Sequence, residues 1–390
     1  MPRKILVSAG ESSGDLYASM VVEALRGVSP APAPEFFGCT GPRLRAAGVR
    51  TVVDAGSLAV VGLAEVVAHL PRIYREYRKL LAAARVERPD LALLTDSPDF
   101  HLRVARQLAA EGIPVVYLVA PQAWAWRKGR VKSLRRTVRR LLCIFPFEEE
   151  FFRGEGVPTT YIGHPLAGLC RPSLSKEEFF RKHRLDPARP LISLLPGSRR
   201  GESARHLPAV LDAAGRLYRE QALNLVLPAS ATTGVEFFKE RIGQTPVHVI
   251  EGESWDAMAH SDLALAASGT VTTEAALLGT PTVAFYKVAR ATWLIGRPLV
   301  DVPFYTMVNL IAGREVVPEL IQDGMTGERI AAEARRLLTD ADARAAMKAG
   351  LAEVRRKLAG APDGLEPRTA PQRAAAIIQE ILEGQVAHVS

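Results

Sequence analysis

Short apolar runs of four or five residues alternate along most of this chain with longer stretches of helical period. Residues 5–9, 91–95, 115–119 and 141–145 read as strands, with helices over 16–25 and 102–110. A strand that is apolar at every position is buried on both faces, which is the situation inside a parallel sheet covered by crossover helices. The pattern loosens after Gly163-His164-Pro165, turns charged through 176–189, and then restarts. Strands are expected at 191–195, 223–227, 247–250, 263–266 and 282–285, with a helix at 271–278. The expectation is therefore an α/β protein of two doubly wound, Rossmann-like domains facing a cleft, with ligands held at the carboxyl ends of the strands. The 390 residues fit that division, because single cores stop growing at roughly 250–300 residues. The expected boundaries are 1–168, 169–365 and 366–390. The last segment carries a helix at 373–381 that would return to the first domain.

Composition narrows the functional classes. Apolar residues make up 48% and charged residues 24%, so disordered, collagenous and small disulfide-bonded classes are excluded. Cys39, Cys143 and Cys170 match neither a disulfide framework nor a paired metal-binding spacing, which points to a reducing compartment. The apolar run 5–7 is too short for a signal peptide, and no segment approaches the roughly 20 apolar residues that cross a bilayer. A cytosolic chain is expected, one that can still rest on a membrane. A net charge of +8 favours an acidic partner: nucleic acid, anionic lipid or a phosphorylated substrate. Eight of the fourteen residues 127–140 are basic and none is acidic.

Six segments carry chemistry. Ser8-Ala9-Gly10-Glu11-Ser12-Ser13-Gly14-Asp15 joins a strand to a helix through a Gly-rich turn, so free backbone N–H groups face the strand ends. Its spacing is not the dinucleotide fingerprint, and a plain tight connection with Asp15 in the first helical turn is the simpler reading. Asp96 and Asp99 follow the strand at 91–95; Asp99 could take a proton from a hydroxyl nucleophile, or could cap the next helix. Trp124 and Trp126 precede Arg127, Lys128 and Arg130, a combination that suits a sugar ring bearing a phosphate. It equally suits a core tryptophan pair before a solvated basic helix whose apolar face is Val131, Leu134, Val138 and Leu141.

In the second half, Pro196-Gly197-Ser198-Arg199 brings a guanidinium to a strand end, where it can grip a diphosphate with two parallel hydrogen bonds. Ser268-Gly269-Thr270 opens a helix whose N–H groups can hold phosphate, and Glu274 one turn on can accept from ribose hydroxyls. Capping by Ser268 or Thr270 is the alternative. Asn309, Arg314 and Glu315 lie beyond the last strands, where Gly313 could simply end a helix. There is no P-loop, no nucleophile elbow and no clustered His or Cys; His164 reads as a structural loop residue.

Taken in order, the segments AGESSGD, DSPDF, PQAWAWR, FPFEEEFF, IGHPL, LPGSRRGE, ASGTVTTEAAL and NLIAGREVVPELIQ resemble the lipid-A-disaccharide synthases, inverting glycosyltransferases of GT-B architecture. The resemblance runs over nearly the whole chain, and the WAWR and NLIAGRE segments are its most specific parts. It implies transfer of 2,3-diacylglucosamine from UDP to 2,3-diacylglucosamine 1-phosphate (lipid X), forming a β-1,6 disaccharide without metal or cofactor. By this resemblance the first domain binds acceptor and the second binds the UDP-sugar. Asp99 is the base on the acceptor hydroxyl, and Arg199 stabilises the departing diphosphate. Glu274 holds the ribose, with Ser268, Gly269 and Thr270 near the phosphates and Asn309 and Arg314 at the donor site. Glu11, Ser13 and Asp15 line the acceptor side, and Trp124, Trp126 and Arg127 contact substrate. His101 stands where the family often has Asn.

Acylated substrates imply a peripheral position on the inner face of a Gram-negative inner membrane. Leu63, Val66, Val67, Leu70, Ile73, Tyr74, Tyr77 and Leu81 recur at helical spacing beside Arg72, Arg75, Arg78 and Lys79, which suits an anionic lipid surface. A core-packed surface helix produces the same stripe. Other readings stay open: another UDP-sugar enzyme of the same architecture, such as an N-acetylglucosaminyltransferase or a 2-epimerase, or a nucleic-acid-binding protein using 127–140. The last leaves the PGSR and ASGT turns without a purpose, so no nucleic-acid partner is expected. The oligomeric state, a homodimer included, is left open by the sequence.

Overall fold

The computed structural model describes residues 2–29, 32–58, 63–126, 129–300, 302–360 and 368–386, without the side chains of 63–69, 295, 299, 385 and 386. The chain divides into two compact units, Met1–Pro165 with Ala359–Ser390, and Leu166–Leu358.

The first unit holds seven strands: β1 (Lys4–Ala9), β2 (Glu35–Thr40), β3 (Arg50–Asp54), β4 (Leu91–Thr95), β5 (Val115–Leu118), β6 (Arg140–Cys143) and β7 (Thr159–Tyr161). All neighbours pair in parallel, in the order β3-β2-β1-β4-β5-β6-β7. The central strands β1 and β4 are buried almost throughout. Chain direction across the sheet reverses between them, which makes their carboxyl ends the switch point where ligands of such sheets bind.

The second unit has six strands: β8 (Leu191–Leu195), β9 (Asn224–Ala229), β10 (Val247–Glu251), β11 (Leu263–Ala267), β12 (Thr282–Tyr286) and β13 (Glu319–Ile321). They are again all parallel, in the order β10-β9-β8-β11-β12-β13, with the switch point between β8 and β11.

Four strands escaped the reading of apolar runs. Strands β3, β7 and β13 sit at sheet edges and are short or half-exposed, so no unbroken apolar run marks them. Strand β2 is interior but is interrupted by Gly38 at φ +152°, where a Cβ would lie 1.9 Å from the carbonyl oxygen of Val7. The register with β3 shifts at the same point, so the glycine serves a close backbone approach.

The charged stretch 176–189, read as a loosening between domains, belongs to the second unit's core. Ser175 Oγ accepts from Glu178 N (3.2 Å) and Glu178 Oε2 accepts from Ser175 N (2.9 Å), a reciprocal cap that starts the Lys176–Lys182 helix. That helix buries Phe179 and Phe180 beside Leu185, Leu191, Val226 and Ile250. In the first unit the Ala370–Val386 helix lies against the Ser12–Val28 helix, burying Ala374, Ala375, Ile378 and Leu382. Arg373 Nε fixes it by donating to the Ile162 carbonyl at 2.6 Å.

The Leu63–Glu87 helix divides along its length. Leu80, Leu81 and Ala84 are buried with Tyr77 against the core, whereas Leu70 and Tyr74 are 50% and 58% exposed. The side chains of Leu63, Val66 and Val67 lie outside the described residues. The stripe read from sequence is thus core packing at one end and open apolar surface farther up.

Phe179→Ala should destabilise the chain by about 3–5 kcal/mol, the cost of emptying a fully buried aromatic site. Denaturant unfolding of the purified variant checks this.

Candidate active site

The first unit's switch point is organised by Asp96, immediately after β4. Its backbone sits at φ +54°, which turns the carboxylate back across the sheet end. Oδ1 accepts from Gly10 N at 2.8 Å and Oδ2 from Glu11 N at 3.0 Å, so the turn after β1 is tied to the end of β4. A Cβ on Gly14 would lie 1.7 Å from Asp96 Oδ2, so the glycine is required by this approach. Tyr117 Oη donates to the Asp96 carbonyl at 2.6 Å, and His101 Nδ1 is 3.0 Å from the same oxygen. The other ring nitrogen of His101 is 2.7 Å from Ser8 Oγ, and both residues are fully buried. Burial pushes the Asp96 carboxyl up to about 7 although the Gly10 and Glu11 amides pull it down, while burial drives the His101 imidazole down to about 4.

Of the three residues expected to line this unit's site, Glu11 and Ser13 are exposed at the start of the Ser12–Val28 helix. Asp15 is not available to a ligand. It is buried, and its oxygens accept from the backbone amides of Gly41 (2.7 Å), Arg43 (2.7 Å) and Leu44 (3.2 Å), anchoring the Pro42–Ala46 helix. Asp99 does not cap its helix: Ser97 occupies that position at φ +35°, Pro98 follows, and Asp99 is in the first turn. Its side chain is 74% exposed and pairs with Arg130 Nη2 at 2.9 Å.

The two tryptophans separate in role. Trp124 is half-buried, its Nε1 donating to Glu148 Oε1 at 3.1 Å with Phe147 edge-on at 5.0 Å. Trp126 is 36% exposed, with the Arg130 guanidinium carbon 5.3 Å from its ring centre. Arg127 and Lys128 lie outside the described residues. The basic stretch also has a core face, since Val131 and Leu134 of the Gly129–Thr137 helix are buried. Glu148 is buried, and desolvation pushes its carboxyl up to about 8 against the pull of Trp124 and the Phe145 amide. His164 is buried beside Tyr17 and Phe145, its imidazole driven down to about 4 by burial.

In the second unit a cavity of about 420 Å³ opens at the carboxyl ends of the central strands. Arg199, Ser268, Gly269, Thr270 and Glu274 all line it, as does Glu202. Gly197 is at φ +127°, and a Cβ there would be 2.7 Å from Glu202 Oε2, so the PGSR turn needs its glycine. The Arg200–Glu220 helix begins with Arg199 at its cap position, and the Thr270–Leu278 helix begins with Gly269 at its own; neither has a side-chain cap bond. Thr270 and Val271 lie at the cavity wall, so open N–H groups and the positive end of that helix meet the space. Neither Ser268 nor Thr270 caps that helix; Ser268 Oγ instead donates to the Tyr305 carbonyl at 2.9 Å. Glu274 accepts from Trp255 Nε1 at 3.1 Å, and burial raises its carboxyl above the ordinary range.

Asn309 and Arg314, expected at the donor, are not in the cavity wall. Asn309 is fully buried: its Nδ2 donates to the Val317 carbonyl (2.9 Å) and Glu319 Oε1 (2.8 Å), and its Oδ1 accepts from Val316 N and Val317 N. Glu319 in turn accepts from Tyr305 N at 2.8 Å. Asn309 is therefore linked to the cavity wall only through Glu319, Tyr305 and Ser268. Arg314 pairs with Glu353 at 2.8 Å, and that guanidinium, followed by Lys357, holds the Glu353 carboxyl down at about 2.

Sequence reasoning passed over Asp96 as a site residue, quoted Glu148 only within the FPFEEEFF segment, and missed His206 altogether. His206 is buried, with Nδ1 2.8 Å from the Pro196 carbonyl and Nε2 accepting from Lys287 N at 3.0 Å, which joins the PGSR turn to the end of β12. A lone His within a helical period carries no signal of this. The position of Asp96 at a strand end did.

An anion-ready cavity at a switch point, in a chain with two Rossmann-like units, is the mark of the GT-B fold. Solved structures agree on that fold. The UDP-GlcNAc 2-epimerase from Neisseria meningitidis bound to UDP-GlcNAc is similar with a TM-score of 0.61 at 14% identity, covering 98% of this chain and 100% of that one. MurG from Acinetobacter baumannii is similar with a TM-score of 0.58 at 15% identity, covering 97% and 100%. The fold class is therefore GT-B. Within it, the chain belongs to the lipid-A-disaccharide synthase family: the family model for lipid-A-disaccharide synthetase matches residues 5–361. The lipid-A-disaccharide synthase of Solibacter usitatus (strain Ellin6076) is 73% identical over 388 residues, covering 99% of this chain and 100% of the relative. That of Koribacter versatilis (strain Ellin345) is 45% identical over 383 residues, covering 97% and 99%.

Glu148 carries a pH signature. Its folded carboxyl titrates at about 8 and its free value is 4.5, so the folded chain keeps a proton the unfolded chain has lost, and stability should fall as pH rises between them. Glu148→Gln should flatten that slope in unfolding free energies measured from pH 4.5 to 8.

Proposed function

We propose that the chain transfers 2,3-diacylglucosamine from UDP to the 6-hydroxyl of 2,3-diacylglucosamine 1-phosphate, releasing UDP and the β-1,6-linked disaccharide 1-phosphate. The observation that carries this reading is that Arg199, the open turn at Ser268–Thr270 and Glu274 line one cavity. UDP leaves as a diphosphate that gains charge as the glycosidic bond breaks. Fixed N–H dipoles and a guanidinium at that position stabilise the transition state more than the ground state. Glu274, held by Trp255, offers carboxylate oxygens to ribose hydroxyls.

On the acceptor side, Asp99 is the base. The 6-hydroxyl oxygen attacks the anomeric carbon, its proton passes to the Asp99 carboxylate, and the electron pair of the breaking C–O bond leaves on the UDP β-phosphate. Exposure of Asp99 supports contact with an incoming hydroxyl, and Arg130 holds the carboxylate in place. Trp126 and Arg130 offer an aromatic face and a cation to the acceptor sugar phosphate.

Diacylated substrates place this chemistry at a bilayer. No helix among the described residues is long and apolar enough to cross a membrane. The exposed Leu70 and Tyr74, beside Arg75, Arg78 and Lys79, suit peripheral contact with anionic lipid on the cytoplasmic face of the inner membrane.

Incubation with UDP-2,3-diacylglucosamine and 2,3-diacylglucosamine 1-phosphate in detergent micelles should yield disaccharide and UDP in equal amounts. Asp99→Ala should lower turnover by about 10²–10⁴-fold while UDP affinity stays near that of the parent. Arg199→Ala should lower turnover by about 10²–10³-fold and weaken UDP binding as well. Substantial turnover by the Asp99 variant removes that residue from the mechanism, and equal activity on an unacylated acceptor favours a different UDP-sugar enzyme.

A further inference from the structure

Between the end of β12 and the Met307–Ala312 helix the second unit carries an excursion that neither the cavity nor the core absorbs. It leaves from Tyr286, a cavity-lining residue, forms the Arg290–Gly296 helix, and returns through Tyr305. Excursions of this kind normally present polar side chains to water. This one presents Leu294 at 74% exposure, Tyr305 at 38% and Val300 at 37%. Elsewhere among the described residues of the second unit, only Tyr218 is a large apolar side chain so exposed. Trp293 is half-buried with its ring 6.0 Å from that of Tyr305, a pair with apolar bodies and polar tips.

The charge is as uneven as the polarity. Of the charged residues in 287–305, Lys287, Arg290 and Arg297 are cationic and Asp301 alone is acidic. Arg290 and Arg297 are exposed and make no ion pair among the described residues. Exposed aliphatic and aromatic groups beside an excess of cations match the interface of an anionic bilayer, where the apolar groups enter the acyl boundary and the cations meet phosphates. A protein partner would call for acidic groups opposite these arginines, whereas a bilayer interface takes both the cations and the apolar bodies and polar tips of the Trp–Tyr pair.

We infer that Arg290, Trp293, Leu294, Arg297, Val300 and Tyr305 form a lipid-contact surface of the second unit, separate from the Leu63–Glu87 helix, that seats the donor-binding unit on an anionic membrane. Its place beside the cavity gives the contact a purpose. Ser268 Oγ in the cavity wall donates to the Tyr305 carbonyl, so the surface and the pocket share a hydrogen bond. A nucleotide-sugar whose acyl chains stay in the bilayer is then met at the membrane by the unit that binds its head. The inference rests on the lipid-substrate reading above for that purpose, but its test does not.

Co-sedimentation of the full chain is compared on phosphatidylglycerol/phosphatidylethanolamine vesicles and on phosphatidylcholine vesicles, without substrate and at low salt. Leu294→Ser/Val300→Ser should lower partition to the anionic vesicles at least about tenfold, from the apolar area withdrawn. Arg290→Gln/Arg297→Gln should lower it roughly fivefold per arginine on anionic vesicles and leave phosphatidylcholine unaffected. Both variants should unfold at the parent's midpoint and keep turnover in detergent micelles within about twofold of it, because no altered side chain enters the cavity. Unchanged partition in both variants, with release by Leu70→Ser/Tyr74→Ser alone, overturns the inference. So does a loss of micellar turnover with partition intact, which would make the surface an acyl-chain subsite. If the parent makes no disaccharide in micelles while the vesicle results hold, the transfer reading fails and the lipid surface stands.

Discussion

Backbone amides left open at the carboxyl ends of parallel strands are the constraint on which the rest of this molecule depends. Both sheets are doubly wound, so each has one position where neighbouring connections diverge and a helix N-terminus meets open space. In the second unit that position carries Gly269 and Arg199 at two helix starts with no side-chain cap. An added capping side chain would satisfy those amides and remove the reason for an anion to bind. In the first unit the equivalent amides of Gly10 and Glu11 are satisfied by Asp96 from the neighbouring strand. The same fold therefore yields an anion-ready pocket in one unit and a closed turn in the other.

Buried and half-buried carboxyls do much of the positioning. Asp96 joins the ends of β1 and β4, Glu148 fixes the indole of Trp124, Glu274 takes the indole of Trp255, and Glu319 links Asn309 to Tyr305. In Asp96, Glu148 and Glu274 desolvation opposes the charged form and moves the carboxyl upward. Such groups destabilise the fold as pH rises, and each orients a neighbouring residue. Asn309 shows the same logic without charge, since its amide is consumed by four partners and reaches the cavity only through the residues it holds.

The fold was legible where burial was two-sided. Strands β4, β8 and β11 are buried throughout and almost wholly apolar, so they stand out against their helices, but β3, β7 and β13 at the edges do not. The helix at Lys176–Lys182 was hidden because five of its seven residues are charged; only Phe179 and Phe180 face inward. In the candidate site, Arg199, Ser268, Gly269, Thr270 and Glu274 could be chosen from turn chemistry alone, and they meet in one cavity. Asp15, Asn309 and Arg314 could not be judged so, because a polar residue near a strand end looks the same whether it faces a ligand or a backbone amide.

The sequence by itself determined the class of fold, the two sheets and the turns able to receive an anion, because hydrophobic period and turn residues act over a few neighbours. Tertiary structure alone decided which polar groups were left for a substrate. Whether Asp15 is spent on Gly41 and Leu44, whether the Leu70 end of a helix is open while its Leu80 end is core, and whether Asp99 meets Arg130 all depend on segments distant in the chain. Hydrogen-bond capacity and burial are settled by those distant partners, and no local pattern encodes them.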